Sequence, residues 1–317
     1  MKFLAVDDDP VFLDLIVNML RRYGYEDVVT AASGQEAVKL AANASVHFDC
    51  FLVDIQMPGM DGVELVRALR CRPIYQRTPI VMVTSMSDKT FVDDAFTAGA
   101  TDYIIKPLEE LEFKARLGMV ARLHDERARA TALVRQNRNA AGELDTHIDF
   151  DAPRHIPGVA NVVEYLALEN YLLTIGNKGV FGHAAFGIHI ENAAHIFART
   201  KPSDFVEVLG DVASVIFDGL KAEKVLLAYV GSGDFVALSL RQAEIDLDEL
   251  EVELNIGLSE FESVYSGDRL PVPRVRVGGF ARSSLFTLAK PTRLIGQAVS
   301  KVRPRQARKS LIRAISA

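Results

Sequence analysis

Asp7 and Asp8, Asp54, Thr84 and Lys106 each stand where a short apolar run ends. A single acid in that position is ordinarily only a turn or cap residue. Together they form a reactive set. Three carboxylates gathered at one edge repel one another, which favours either protonation or a bound cation. Hard oxygen donors with room for water suit Mg²⁺, which takes few carboxylates and keeps several waters. A carboxylate beside Mg²⁺ and an ammonium can attack a phosphoryl group and become an aspartyl phosphate. Lys106 and the metal would then neutralise the transferred oxygens, and the Thr84 hydroxyl would hydrogen-bond one of them.

That chemistry requires the four runs to lie side by side. Residues 2–6, 27–31, 50–53, 79–83 and 101–105 read as strands, and the run at 50–53 has the apolar density of a strand buried on both faces. Helices are expected between them. Asp9 with Pro10 opens one that reaches Tyr23, and Ser33 with Glu36 three residues on opens the next, to about Asn43. After Pro58, Gly59 and Gly62 turn the chain, Asp61 and Glu64 form a capping box for a helix to about Arg70. Ser87 is expected to begin a fourth, reaching about Ala98. Five such βα units predict an α/β fold, a doubly wound five-stranded parallel sheet with helices on both faces. In such sheets ligands sit at the carboxyl ends of the strands, where these residues fall.

The chain of 317 residues is 49% hydrophobic and 25% charged, as in ordinary globular proteins of about two domains. No apolar run approaches the ~20 residues needed to span a bilayer, and the charged Asp7-Asp8-Asp9 comes too early for a signal peptide. The two cysteines, Cys50 and Cys71, make neither a disulfide framework nor a metal pattern. A cytoplasmic protein without membrane insertion is expected. The net charge of −6 is unevenly spread: eight acids and no Lys or Arg between Glu244 and Glu262, eight basic residues and no acid between Lys290 and Arg313. Two solvated faces that pair within the fold account for this more simply than a nucleic-acid-binding tail.

Residues 1 to about 124 resemble a response-regulator receiver domain, in the stretches Lys2-Phe3-Leu4-Ala5-Val6-Asp7-Asp8-Asp9, Asp54-Ile55-Gln56-Met57-Pro58-Gly59-Met60-Asp61-Gly62, Val83-Thr84-Ser85 and Tyr103-Ile104-Ile105-Lys106-Pro107. The resemblance implies strand order 2-1-3-4-5. It implies Asp54 as phosphoacceptor, with Asp7, Asp8 and the Gln56 backbone carbonyl holding Mg²⁺ beside it. It further implies Thr84 and Tyr103 as a switch pair, and Lys106 contacting the phosphoryl group through a cis Lys106–Pro107 bond. A histidine kinase or phosphotransfer protein would be the donor, and phosphorylation is expected to favour a homodimer. Thr84 would move to meet the new dianion, and Tyr103 would turn inward into the vacated space.

Beyond Leu108, the residues Phe113, Leu117, Val120, His124, Arg127, Thr131, Val134 and Arg138 follow a 3-4 spacing that is apolar only in its first half. Residues 125–158 are expected to be a linker, helical and then irregular. Residues 159–317 should form a second, α+β domain. There helices are expected at 161–175, 203–220, 246–263 and 292–302, and strands at 184–190, 225–229, 235–240 and 272–280. Its hairpin, Ala228-Tyr229-Val230-Gly231-Ser232-Gly233-Asp234-Phe235-Val236, resembles the signature hairpin of GGDEF (diguanylate cyclase) domains, and Val277-Gly278-Gly279-Phe280-Ala281 and Ala298-Val299-Ser300-Lys301 follow in the family's layout. The motif has lost acids. Gly233 stands at an acidic position, the metal-binding Asp of the preceding strand maps to His189 with Glu191 two further on, and the regulatory Arg-x-x-Asp falls on Ala222 to Val225 and is missing. Joining two nucleoside triphosphates needs acidic ligands for metal ions, so the module is expected to act by binding a downstream protein rather than as an enzyme. Asp234 then becomes a turn residue and His189 a sheet histidine. The rival readings are an active cyclase making cyclic di-GMP, a DNA-binding regulator using the segment from Lys290 to Arg313, and a scaffold whose acidic and basic segments meet between subunits.

Overall fold

The structure is a computed structural model that describes residues 1–43, 47–85, 89–141, 148–156, 158–159, 162–220, 225–267, 270–283 and 290–302. The chain divides into two compact units, 1–144 and 145–317.

In the first unit β1 (Phe3–Val6), β3 (Cys50–Val53) and β4 (Ile80–Thr84) are buried at every position, as strands covered on both faces must be. They lie in one parallel sheet of order β2-β1-β3-β4-β5, with β2 (Val28–Ala31) and β5 (Asp102–Ile105) at the edges. This is the doubly wound order the sequence led to expect. Alternate strand residues, among them Phe3, Ala5, Cys50, Leu52, Val81 and Val83, pack on α1 (Pro10–Arg22) and on Phe113, Leu117 and Val120 of α5 (Glu110–Ala141). Cys50 is therefore a core residue. The helix starts follow their caps: Asp9 accepts from the Val11 N–H, Ser33 from that of Glu36 at the head of α2 (Gly34–Ala42), and Asp61 and Glu64 close a full capping box on α3 (Gly62–Arg70). Each such cap contributes about 1 kcal/mol. The fourth helix, α4, is Lys89–Thr97; the expected start at Ser87 lies outside the described residues. So do the side chains of the spaced series in α5 from Arg127 onward.

The second unit carries an antiparallel sheet of order β10-β6-β8-β7. Its strands are β6 (His183–Ile190), β7 (Leu226–Gly231), β8 (Asp234–Leu240), β9 (Val275–Val277) and β10 (Ala281–Arg282). Of the expected strand at 272–280 only β9 is a strand; β10 comes after it, and both pair with β6. Past β9 the Gly278 N–H still bonds the Gly187 carbonyl at 2.8 Å, and Val302 lies so close that a Cβ there would not fit. The first helix of the unit, α6, is Tyr165–Phe181 rather than 161–175, because Val162 and Val163 pair with Leu227 instead of coiling. It bends at Gly176, whose φ is 59°. A short helix the sequence did not signal, α7 (Ala193–Phe197), follows β6, and α8 (Pro202–Leu220) follows that. The single helix expected at 246–263 is two, α9 (Leu247–Ser259) and α10 (Glu262–Gly267), and α11 (Arg293–Val302) closes the described chain. Among the described residues no helix is long and apolar enough to cross a membrane.

One buried ion pair ties α5 to the parallel sheet. Asp102 Oδ1, at the start of β5, accepts from Arg116 Nη1 at 2.8 Å and from the Tyr103 N–H, while its Oδ2 has no partner. Burial raises the Asp102 carboxyl to about 6 against the pull of Arg116. A carboxylate raised in this way stabilises the fold below its unfolded value and loses that contribution as pH climbs towards about 6. Arg116→Met should therefore cost about 3 kcal/mol at neutral pH, since it strands a buried charge. Without its cation Asp102 takes up a proton at higher pH than in the parent, so urea unfolding should show that penalty shrinking as pH falls towards about 6.

Candidate functional site

The parallel register brings the sequence-picked residues to one rim. Val6 pairs with Val53, so the residues that follow them, Asp7 and Asp54, leave the sheet abreast. The Asp54 N–H bonds the Val6 carbonyl at 2.9 Å, and the Asp7 N–H bonds that of Ala31 at 3.2 Å. Thr84 pairs with Ile105, and the Lys106 N–H extends that ladder to the Thr84 carbonyl at 2.8 Å. The turn after Asp54 is held just as closely. A Cβ at Gly62 would lie 2.1 Å from the Asp54 carbonyl oxygen, so glycine is required by contact with the very residue that carries the site. Its place had been legible in the sequence as a turn signal, but the close approach had not.

One carboxylate oxygen each from Asp7, Asp8 and Asp54 lies within 4.8 Å of the other two. Asp7 and Asp54 are buried and Asp8 is exposed, so the group opens to solvent on one side. The Lys106 ammonium reaches across the rim, 2.6 Å from Asp7 Oδ2 and 3.2 Å from Asp54 Oδ1. Asp7 Oδ1 in turn accepts from the Asp9 N–H at 2.9 Å. Burial, above all, lifts the Asp54 carboxyl above its usual value, with neighbouring Asp7 adding to the shift. The charge and hydrogen bond of Lys106 and a hydrogen bond from Thr84 oppose it. Thr84 is fully buried at the end of β4. Tyr103 is 1% exposed, so its ring already occupies the inward position, and burial raises its phenol with Asp54 adding to the effect. Gln56 lies on the exposed turn two residues past Asp54, and the Lys106–Pro107 bond is cis.

Phe12 belongs to the site and was not among the sequence candidates. The Lys106 Nζ sits 3.8 Å from the centre of its ring, a cation–π contact that helps hold the ammonium at the rim. The signal was present in the sequence. Pro10 starts α1 beside Asp7 and Asp8, so Phe12 falls in the first turn at the same rim.

Residues 3–118 match the response regulator receiver domain family. The chain is 39% identical over 126 residues to the chemotaxis protein CheY1 of Helicobacter pylori, a stretch covering 39% of this chain and all of that protein. It belongs to the response-regulator family. To the chemotaxis protein CheY homolog of Campylobacter jejuni the identity is 38% over 117 residues, 37% of this chain and 89% of that one. The solved structure of Vibrio cholerae CheY4 is 35% identical, covers 38% of this chain and 97% of its own, and has a TM-score of 0.35. The receiver domain thus lies wholly in the first unit.

In the second unit the structure joins two residues that the sequence reading had kept apart. Asp234 is not a free turn residue. It opens β8 opposite His189 on β6, it is fully buried, and its Oδ1 lies 2.7 Å from His189 Nδ1. The turn before it consists of Ser232 and Gly233, with φ of 55° and 81°, the positive values that type I′ hairpins require at both central positions. Tyr229 braces that turn by accepting from the Gly233 N–H at 3.0 Å, and burial pushes its phenol up to about 12. Glu191 pairs with Arg276 across to β9.

The receiver's carboxylate pair gives a pH test. Because Asp54 titrates above its unfolded value, its contribution to stability is present below about pH 4 and fades as pH rises through its folded value. Lys106→Met removes the cation that opposes this shift. Carboxyl NMR titration should find Asp54 moved further up, and urea midpoints should fall more steeply with pH than in the parent.

Proposed function

We propose that this receiver accepts a phosphoryl group on Asp54 from a histidine kinase or phosphotransfer protein, and that the event switches a second, non-catalytic unit that works by binding a downstream protein. The observation that carries the proposal is the meeting of three carboxylates and one ammonium at the rim. The donor set fits Mg²⁺: hard oxygens, two buried and one exposed, with open space on the solvent side for water. Asp7 and Asp8 would hold the ion beside Asp54, with the Gln56 carbonyl as a further oxygen. When bound, it supplies positive charge to the oxygens of the group in transfer.

The residues of the chain supply the rest. An Asp54 oxygen attacks phosphorus, a P–O bond forms, and the P–N bond to the donor imidazole breaks. Lys106, already 3.2 Å from Asp54, can follow one phosphoryl oxygen while Phe12 limits where its ammonium swings. Thr84 offers its hydroxyl to another. Thr84 and Tyr103 would act as the switch pair, the phosphoryl group favouring the inward position in which the Tyr103 ring is buried.

For the second unit, the GGDEF-like reading rests on the hairpin and on the layout around it. The His189–Asp234 bond favours a binding role. Where a cyclase would offer two acids to metal ions, this unit sets an imidazole against its remaining acid, and that acid is fully buried. The cytoplasm and a homodimer formed on phosphorylation belong to the same proposal.

Asp54→Asn should abolish labelling by a phosphorylated donor, whereas Asp61→Asn, which keeps an N-cap acceptor on α3, should leave it within about twofold. Labelling retained by Asp54→Asn would refute the assignment. Separately, the phosphorylated full chain incubated with GTP and Mg²⁺ should make no cyclic di-GMP; turnover would overturn the non-catalytic reading and leave the receiver assignment standing.

A further inference from the structure

α9 presents an outward stripe that its own fold leaves bare. Leu250, Leu254 and Leu258 face the core, while Val252 and Ile256, one turn apart on the other side, are 60% and 59% exposed. Exposed Asp248 and Glu249 stand at one end of this apolar pair and exposed Glu260 at the other. Single exposed aliphatics need no explanation. An adjacent pair flanked along its helix by acids, in a stretch from Glu244 to Glu262 that holds no Lys or Arg, is a surface with a defined complement. It suits a short segment that is basic and apolar together.

The chain contains such a segment, and it starts next door. Val302, the last residue of α11, packs on Gly278: a Cβ there would lie 2.9 Å from the Val302 backbone nitrogen and from its Cβ. Gly278 directly follows β9, and β9 is bonded to α9. The Val277 N–H donates to Glu251 Oε2 at 2.7 Å, and Asn255 both donates to the Val275 carbonyl and accepts from its N–H. The chain therefore leaves α11 at the edge strand on which α9 rests. Residues 303–317 carry Arg303, Arg305, Arg308, Lys309 and Arg313, no acid, and the apolar Leu311, Ile312 and Ile315. Fifteen residues span up to about 50 Å when extended, and the stripe needs only a fraction of that.

We infer that residues 303–317 dock in cis on the exposed stripe of α9, with their basic side chains meeting Asp248, Glu249 and Glu260 and their aliphatic side chains covering Val252 and Ile256. Several exposed ion pairs of small individual value are summed here by a tether that keeps the local concentration high. The acidic and basic halves of the charge pattern thus serve one contact.

Thiol labelling tests this in the full-length protein. In a Cys71→Ser background, which leaves only buried Cys50, Ile256→Cys places a reporter on the stripe, and Val252→Cys repeats the measurement. Each is compared with the same chain carrying Arg303→Glu, Arg305→Glu, Arg308→Glu and Lys309→Glu, beyond the described core. At low salt both reporters should react about tenfold more slowly with the native segment than with the reversed one, and salt should close the gap. The slowing should not depend on protein concentration. Equal rates at either position would overturn the inference, as would protection that grows with concentration, which would give the stripe to a second copy.

Discussion

Everything at the receiver's rim depends on one arrangement of charge: the Lys106 ammonium lodged between two buried carboxylates, Asp7 and Asp54. Neither acid could sit this deep alone, because removing a carboxylate from water costs far more than ordinary packing returns. The lysine offsets only part of that cost. Burial still holds Asp54 above its ordinary range, and three carboxylates stand against one ammonium, with Asp8 on the solvent side. An ion of two positive charges, drawn to that side by exposed Asp8, would complete the compensation.

The sheet makes this arrangement rigid at little cost. β1, β3 and β4 are buried throughout, so a slip in register would move whole sets of side chains off their helices. The same pairing that protects the core therefore fixes Asp7 beside Asp54 and Lys106 beside Thr84. Gly62 adds a local constraint, since its bare backbone lets α3 begin against the Asp54 carbonyl. Precision of the acids follows from packing of apolar neighbours.

What the sequence disclosed divides along physical lines. Strands covered on both faces, and helices opened by Asp9, Ser33 and the Asp61–Glu64 box, write their character in consecutive residues, so the first unit and its rim were legible. Contacts between residues distant in sequence were not. The ring of Phe12 over Lys106 and the bond between His189 and Asp234 arise only when strands meet. In the second unit the contact of Val302 with Gly278, more than twenty residues apart, was equally hidden. Short α7 carries too few residues to show a period, and Val162 and Val163 were taken by pairing with Leu227 where local preference pointed to a helix.

The claim that a divalent ion completes the rim can be measured without any phosphoryl donor. Urea unfolding of the full chain, with and without Mg²⁺, reads binding as stabilisation, since an ion that binds only the folded state raises its stability with the logarithm of concentration. Mg²⁺ should raise the midpoint of the native protein, and Asp8→Asn, altering an exposed acid that supports no packing, should remove most of that rise. A midpoint indifferent to Mg²⁺, or one raised equally in Asp8→Asn, would contradict the account.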